Sequence, residues 1–151
     1  VANGRLDRPR GAGKGACEFG DQLLAGRIGA GIDTVVIDLF NRQVVGFAMG
    51  QRMTRPLVMD ALRMAWFRGH PGSGLIFRLD RGSQYASNDY RKLLADFKME
   101  SSMNRKGDCW DNAVAETLFG SLKVEQLHGM RFATRRQAKD EVMDWITFYN
   151  H

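Results

Sequence analysis

Cysteine and histidine are scarce, and long apolar runs are missing. The two cysteines, Cys17 and Cys109, stand far apart, with no Cys-x-x-Cys spacing and no histidine pair beside either. That pattern excludes a disulfide framework and a zinc site of the usual spacing, so both read as free thiols. His70, His128 and His151 show no partner arrangement and carry no chemistry in this reading. No stretch of about 18 apolar residues occurs, and the N-terminus lacks the basic, apolar, small-residue order of a secretory signal. A soluble, cytoplasmic protein without a membrane partner is the expectation. What is present in excess is positive charge: 22 Lys+Arg against 17 Asp+Glu leave a net charge of +5 over 151 residues. The chain fits one domain with a buried core, and its charge favours polyanion partners without singling one out.

Glycine is concentrated at the start, where the first 31 residues hold eight of the 17 glycines. Such density opposes both helix and strand, so residues 1–31 are expected to form an atypical or disordered leader and residues 32–151 the folded core. From Thr34 the pattern sharpens. "TVVIDLF" and "QVVGFAM" are β-branched, apolar runs separated by Asn41 and Arg42, the spacing of a tight hairpin. "TRPLVMDALRMAWF" places Leu57, Ala61, Leu62, Ala65 and Trp66 at helical spacing, with Thr54 as N-cap and Pro56 in the first turn. "LIFRL" reads as a short strand ending at Asp80. A second helix follows from Ser87 as N-cap, with Tyr90, Leu93, Leu94 and Phe97 on one face. "MESSM" fits a short strand, and "NRKGDCWDN" a polar loop with a basic start. A third helix from Asp111 carries Val114, Leu118 and Leu122 as its apolar stripe. The last helix opens with Thr134 and Gln137 in capping-box spacing, puts Ala138, Val142, Trp145, Ile146 and Tyr149 on one side, and reads as cut off at His151.

Chemistry concentrates at two acids. Asp80 follows a strand, and in open α/β sheets ligand-handling residues gather beyond the carboxyl ends of strands. Glu116 shares a helix face with Asn112 and Lys123, four before it and seven after it. The two carboxylates could hold a divalent cation, and Lys123 could meet a phosphate. The plainer readings are a turn-forming aspartate, a solvated helical glutamate and a solubilising lysine. Arg105 and Lys106 could grip a phosphate or simply stay hydrated. Asn112 could orient Glu116, contact DNA or cap its helix.

Several long blocks in order resemble one family. "GLIFRLDRGSQYAS", "SSMNRKGDCWDNAVAETLFGSLKVEQLHG" and "FATRRQAKDEVMDWITFYN" are similar to the catalytic core of IS3-type insertion-sequence transposases, of the DDE transposase and retroviral integrase superfamily. "TVVIDLFNRQVVGFAMG" resembles the same family's early hairpin, so the likeness runs from Thr34 to His151. It implies an α/β, RNase H-like fold: a mixed sheet with antiparallel first strands, flanked by helices. It also implies two aspartates and one glutamate binding Mg²⁺ or Mn²⁺, two ions in the active complex, with 35 residues between the second and third acids. Asp80 and Glu116 stand at that spacing. Lys123 matches a basic residue that the family often carries seven positions after the glutamate, and Asn112, Arg105 and Lys106 are the further candidate DNA contacts. The first acid departs from the family pattern. The usual Trp-x-x-Asp-Ile-Thr-Tyr motif is missing, and Asp21, in "FGDQLLAG", falls near the right spacing with different neighbours on poor strand material. Asp38 matches a family position that is not catalytic.

The resemblance implies a transposase core that cuts at element ends and joins the exposed 3′-hydroxyl to target DNA. The expected partners are DNA, both element ends and target, further copies of the chain, and a helix-turn-helix segment supplied by a partner or an N-terminal region. The rival expectation is an inactive remnant, its first strand degraded, that at most binds DNA or intact transposase.

Overall fold

The computed structural model describes residues 22–26, 34–52, 54–79, 83–103 and 109–151. Gln22–Gly26 (β1) is the middle strand of a five-stranded mixed sheet, joined by Thr34–Asp38 (β2), Val44–Ala48 (β3), Ile76–Leu79 (β4) and Glu100–Met103 (β5) in the order β3-β2-β1-β4-β5. β1 runs antiparallel to β2, from Leu23↔Asp38 to Gly26↔Val35, and parallel to β4, from Gln22↔Ile76 to Leu24↔Arg78. The expectation that glycine density keeps this stretch out of the sheet is therefore corrected. A central strand has hydrogen-bonding partners on both edges, and the two ladders outweigh the weak propensity of QLLAG. The boundary expected between residues 31 and 32 falls outside the described residues.

The hairpin β2–β3 is wider than a two-residue turn. Asp38 closes it: the Asp38 amide donates to Gln43 O at 2.9 Å, the Arg42 amide donates to Asp38 O at 2.8 Å, and the Phe40 amide donates to Asp38 Oδ1 at 2.8 Å. Arg42 takes a left-handed backbone at φ 65°, where the chain folds back. A register shift at Val36/Ile37 marks a bulge opposite Val45.

Alternation along β2 divides the core. Val36 joins Val45, Phe77 and Leu79 beneath helices Arg55–Gly69 (α1) and Asn88–Asp96 (α2), while Val35 and Ile37 join Val44 beneath Cys109–Ser121 (α3) and Arg135–Tyr149 (α4). The helices arise as their periodicity dictates. α1 buries Val58, Ala61, Leu62 and Ala65, with Thr54 in extended N-cap geometry but making no side-chain cap. Its small residues allow close approach: a Cβ at Gly46 would collide with Ala61 O and crowd Ala65, so β3 and α1 touch backbone to backbone. α2 is capped by Ser87, whose Oγ accepts from the Tyr90 amide, and it buries Tyr90 and Leu94. α4 is capped by Thr134 as its spacing predicts, the Gln137 amide donating to Thr134 Oγ1 at 3.2 Å. Gln137 Oε1 reaches back to the Ala133 amide, one residue earlier than the standard box. At its far end, Asn150 docks on the outer edge of the sheet. Its Oδ1 accepts from the Val44 amide and its Nδ2 donates to Val44 O, both at 2.9 Å.

Two consequences are testable. Gly46→Ala will cost about 1–3 kcal/mol through overpacking against α1, measured by urea denaturation. Tyr90 is fully buried, its hydroxyl has no hydrogen-bond partner among the described residues, and burial followed by the neighbouring Tyr85 holds its pKa well above 10.0. The folded chain therefore keeps this phenol neutral while the unfolded chain ionises it; that stability is complete below pH 10.0 and is lost as pH rises toward the higher folded value. Tyr90→Phe will be neutral or stabilising by about 1 kcal/mol at pH 7 and will flatten the alkaline loss of stability, read from denaturation midpoints on either side of about pH 10.

Candidate nucleic-acid interface and carboxylate site

The parallel β1–β4 pair fixes where chemistry can occur. Both strands point their carboxyl ends toward one edge of the sheet, the edge at which Thr34 begins β2 and pairs with Ala48. β4 ends there with Leu79. Asp80 is the next residue in the chain and lies outside the described residues, as do Asp21, Arg105 and Lys106.

The chain after Asp80 is anchored from its far side. Tyr85 is buried, and its hydroxyl lies 3.2 Å from Thr34 Oγ1, so the loop leaving β4 is tied across the end of β1 to the start of β2. Ser87 adds a second tie, its Oγ donating to Gln84 O at 2.9 Å while capping α2. Tyr85 packs edge-on against Tyr90, with ring centroids 5.3 Å apart. Sequence reasoning overlooked this anchor. Its signal was a tyrosine five residues after an acid at a strand end, a large amphipathic side chain in an otherwise small, polar loop.

On the other face, α3 carries Glu116. The helix starts two residues earlier than expected and buries Ala115 and Leu118. Glu116 itself is exposed, as is Lys123 seven residues on, and the near-integral two turns between them put both on one side. Asn112 lies one turn before Glu116 in α3, and its side chain is outside the description. Among the described residues no group of three His, Cys, Asp or Glu converges on a point.

Beyond Ser121 the helix widens into a π-helical segment, Leu122–Leu127. Leu122 is buried and Leu127 packs against the same cluster. Five residues of α-helix would turn Leu127 about 140° away from Leu122, whereas i→i+5 winding keeps both toward the sheet. Two bonds from α4 hold the segment. Trp145 Nε1 donates to Glu125 Oε2 at 3.2 Å, and Gln126 Nε2 donates to Glu141 Oε2 at 2.6 Å.

Asp38, the buried acid nearest the sheet, is a turn-former. It pairs with Leu23 near the start of β1, at the opposite edge of the sheet from Leu79, and its carboxylate is bonded to the Phe40 amide.

Known proteins share both the sequence and the fold. Residues 34–109 match the integrase core domain family, and residues 116–151 match a second integrase core domain model. The transposase InsF for insertion sequence IS3A of Escherichia coli (strain K12) is 45% identical over 112 residues, 74% of this chain and 39% of that protein. The transposase for insertion sequence element IS904 of Lactococcus lactis subsp. lactis (strain IL1403) is 42% identical over 117 residues, 77% of this chain and 46% of that protein. The chain thus spans less than half the length of these relatives. In structure it resembles a chain of the simian T-cell lymphotropic virus intasome, with a TM-score of 0.69 at 15% identity over 99% of this chain and 55% of that one. It also resembles the HTLV-2 integrase catalytic core domain, solved in complex with magnesium in a trimeric form, with a TM-score of 0.63 at 13% identity over 85% of each chain. The sheet order, the helices on both faces and these matched residues make one conclusion: the chain belongs to the integrase core domain family, as an IS3-type transposase catalytic core with an RNase H-like fold.

Proposed function

We propose that this chain binds DNA and acts on its phosphodiester bonds as the core of an insertion-sequence transposase, with Asp80 and Glu116 as the carboxylates of a Mg²⁺ or Mn²⁺ site. The observation that carries this reading is the parallel β1–β4 pair with α3 packed over the same sheet. Phe77 and Leu79 belong to the cluster under α1 and α2, so the alternate positions of β4 turn toward the α3 side. In sequence, Asp80 is the next position of that alternate set.

The donor chemistry fits a hard cation. Magnesium is commonly held by one or two carboxylates, with water and substrate phosphate completing six oxygens. When bound, such an ion polarises the phosphodiester and stabilises the attacking and leaving oxygens of an in-line displacement. The protein's own contribution is positional: Asp80 and Glu116 hold the ions, Lys123 meets a DNA phosphate two turns from Glu116, and Asn112, Arg105 and Lys106 add DNA contacts. Element ends and target DNA are the substrates. Further copies of the chain, and a helix-turn-helix segment from a partner or an N-terminal region, are the partners.

Asp21 is the remaining candidate for the third carboxylate. It immediately precedes Gln22, where β1 enters the sheet beside Ile76, and Leu23 pairs with Asp38 at that edge. Asp80 follows β4 at the other edge. This order favours a site of two protein carboxylates, with DNA supplying the oxygens that a third acid would give. The same observation favours a second reading, a remnant that binds DNA without cutting it, because QLLAG, the strand between β2 and β4, contains no acid.

Calorimetric Mn²⁺ titration, with and without a DNA duplex, tests both. Binding is expected to be weak alone and strengthened by duplex, to fall more than tenfold in Asp80→Asn and Glu116→Gln, and to survive in Asp21→Asn. Leu24→Asp, which puts a carboxylate on β1 level with Arg78, is expected to strengthen it. Equal loss in all three acid variants would restore Asp21 as the third ligand. No Mn²⁺ binding with duplex present would leave the remnant reading, as would binding without any joined DNA product.

A further inference from the structure

The stretch from Gln126 to Lys139 contains no acid and four cations, Arg131, Arg135, Arg136 and Lys139. All four are exposed. Among the described residues the ion pairs are Arg55–Asp89 and Arg63–Asp60, so none of these four is neutralised by a carboxylate. Of the acids that flank the stretch, Glu125 accepts from Trp145 and Glu141 accepts from Gln126, while Asp140, next to Lys139, is exposed and forms no ion pair with any of the four among the described residues.

Their position in the helix is unfavourable on its own terms. Arg135 and Arg136 open α4, whose first turn has no acid. The partial positive charge at a helix N-terminus favours carboxylates and repels cations. Two adjacent arginines there weaken the helix unless an anion lies over them.

Their position in the fold is more telling. Lys139 Nζ lies 3.5 Å from Met49 O, just past the end of β3, while Asn150 is bonded to Val44 at the start of β3. α4 therefore runs antiparallel to β3, and its N-terminal half stands at the edge where Ala48 pairs with Thr34 and β4 ends at Leu79. Lys139, and Arg135 and Arg136 one turn before it in α4, therefore stand at the end of the sheet where β4 ends, on the face that carries α3, and Arg131 lies in the loop that leads into α4.

We infer that Arg131, Arg135, Arg136 and Lys139 form a second phosphate-contacting track, along which the backbone of duplex DNA runs past the carboxylate site. The inference rests on the proposed DNA-binding role and extends it to residues outside the Asp80–Glu116–Lys123 constellation. The contacts are to phosphate, since exposed arginines and a lysine without a groove-reading frame supply charge without base discrimination.

The test is duplex binding by the whole chain across a salt series, comparing the parent with an Arg131→Ala, Arg135→Ala, Arg136→Ala triple variant. Each lost phosphate contact removes about 0.9 from the slope of log K against log salt. The triple variant is expected to lose roughly 2 to 3 of that slope, equally on unrelated sequences, with Mn²⁺ binding unchanged. Arg135→Glu with Arg136→Glu is expected to abolish duplex binding while leaving Tm equal to the parent or higher, a combination that a purely structural role does not produce. The corresponding lysine variants should retain binding. An unchanged slope in the triple variant overturns the inference. If Asp80→Asn and Glu116→Gln still lose Mn²⁺ in that case, the carboxylate reading survives it. If the parent shows no salt-dependent duplex binding, the track and the DNA-binding role fall together, and the Mn²⁺ titration reports separately on the carboxylates.

Discussion

The pairing of β1 with both β2 and β4 holds the molecule together. On one side lies the β2–β3 hairpin with α1 against it; on the other lies the β4–β5 pair with α2. In the sheet, Gln22–Gly26 joins the two, antiparallel on one edge and parallel on the other. The cluster under α1 and α2 spans that seam, from Val36 and Val45 to Phe77 and Leu79, so it does not close around a sheet in which the middle strand is missing. A short, aliphatic, glycine-ended segment performs this role because a central strand is stabilised by two ladders and by burial, and both can exceed the small differences in strand propensity. The Tyr85–Thr34 contact repeats the same closure at the level of the loop, passing over the end of β1 to reach β2.

Most of the architecture is legible in the sequence because it comes from local patterns. The N-caps at Ser87 and Thr134 follow from side-chain oxygens placed three residues before a free amide. The stripes of α1, α2 and α4 follow from a 3.6-residue period, with Val58 in place of Leu57 as the small shift in α1. What was hidden depends on contacts distant in the chain. The strand character of QLLAG comes from its neighbours in space. The widened turn after Asp38 depends on a carboxylate turning inward to its own loop. The π-helical segment answers the need to bury both Leu122 and Leu127, and Trp145 and Glu141 hold it from another helix. Glu116 and Lys123, paired by their spacing, are both exposed, while Asp80 and Asp21 lie outside the described residues.

The distribution of charge gives the fold a direction. Helix N-termini, unpaired arginines and the carboxyl ends of two parallel strands accumulate at one edge of the sheet, whereas the other edge holds the neutral turn built on Asp38. A modest net charge of +5 can therefore produce a local field much stronger than its average, because no acid stands between the cations from Arg131 to Lys139. In the proposed function, polyanion binding and cation binding meet at one place without requiring a strongly basic protein.

Asn150 illustrates how the end of this segment governs its beginning. Its side-chain amide occupies both hydrogen-bonding groups of Val44, and Gln43 Nε2 donates to its carbonyl at 3.0 Å. β3 is a border strand of the sheet, and open main-chain groups there invite pairing with a foreign strand. The hairpin is synthesised more than a hundred residues before its protector, so during translation that border stays unshielded until α4 has been made and docked. Contacts of such long sequence separation also form late in folding. The ribosome-bound chain thus passes through an interval in which self-association competes with completion of the domain.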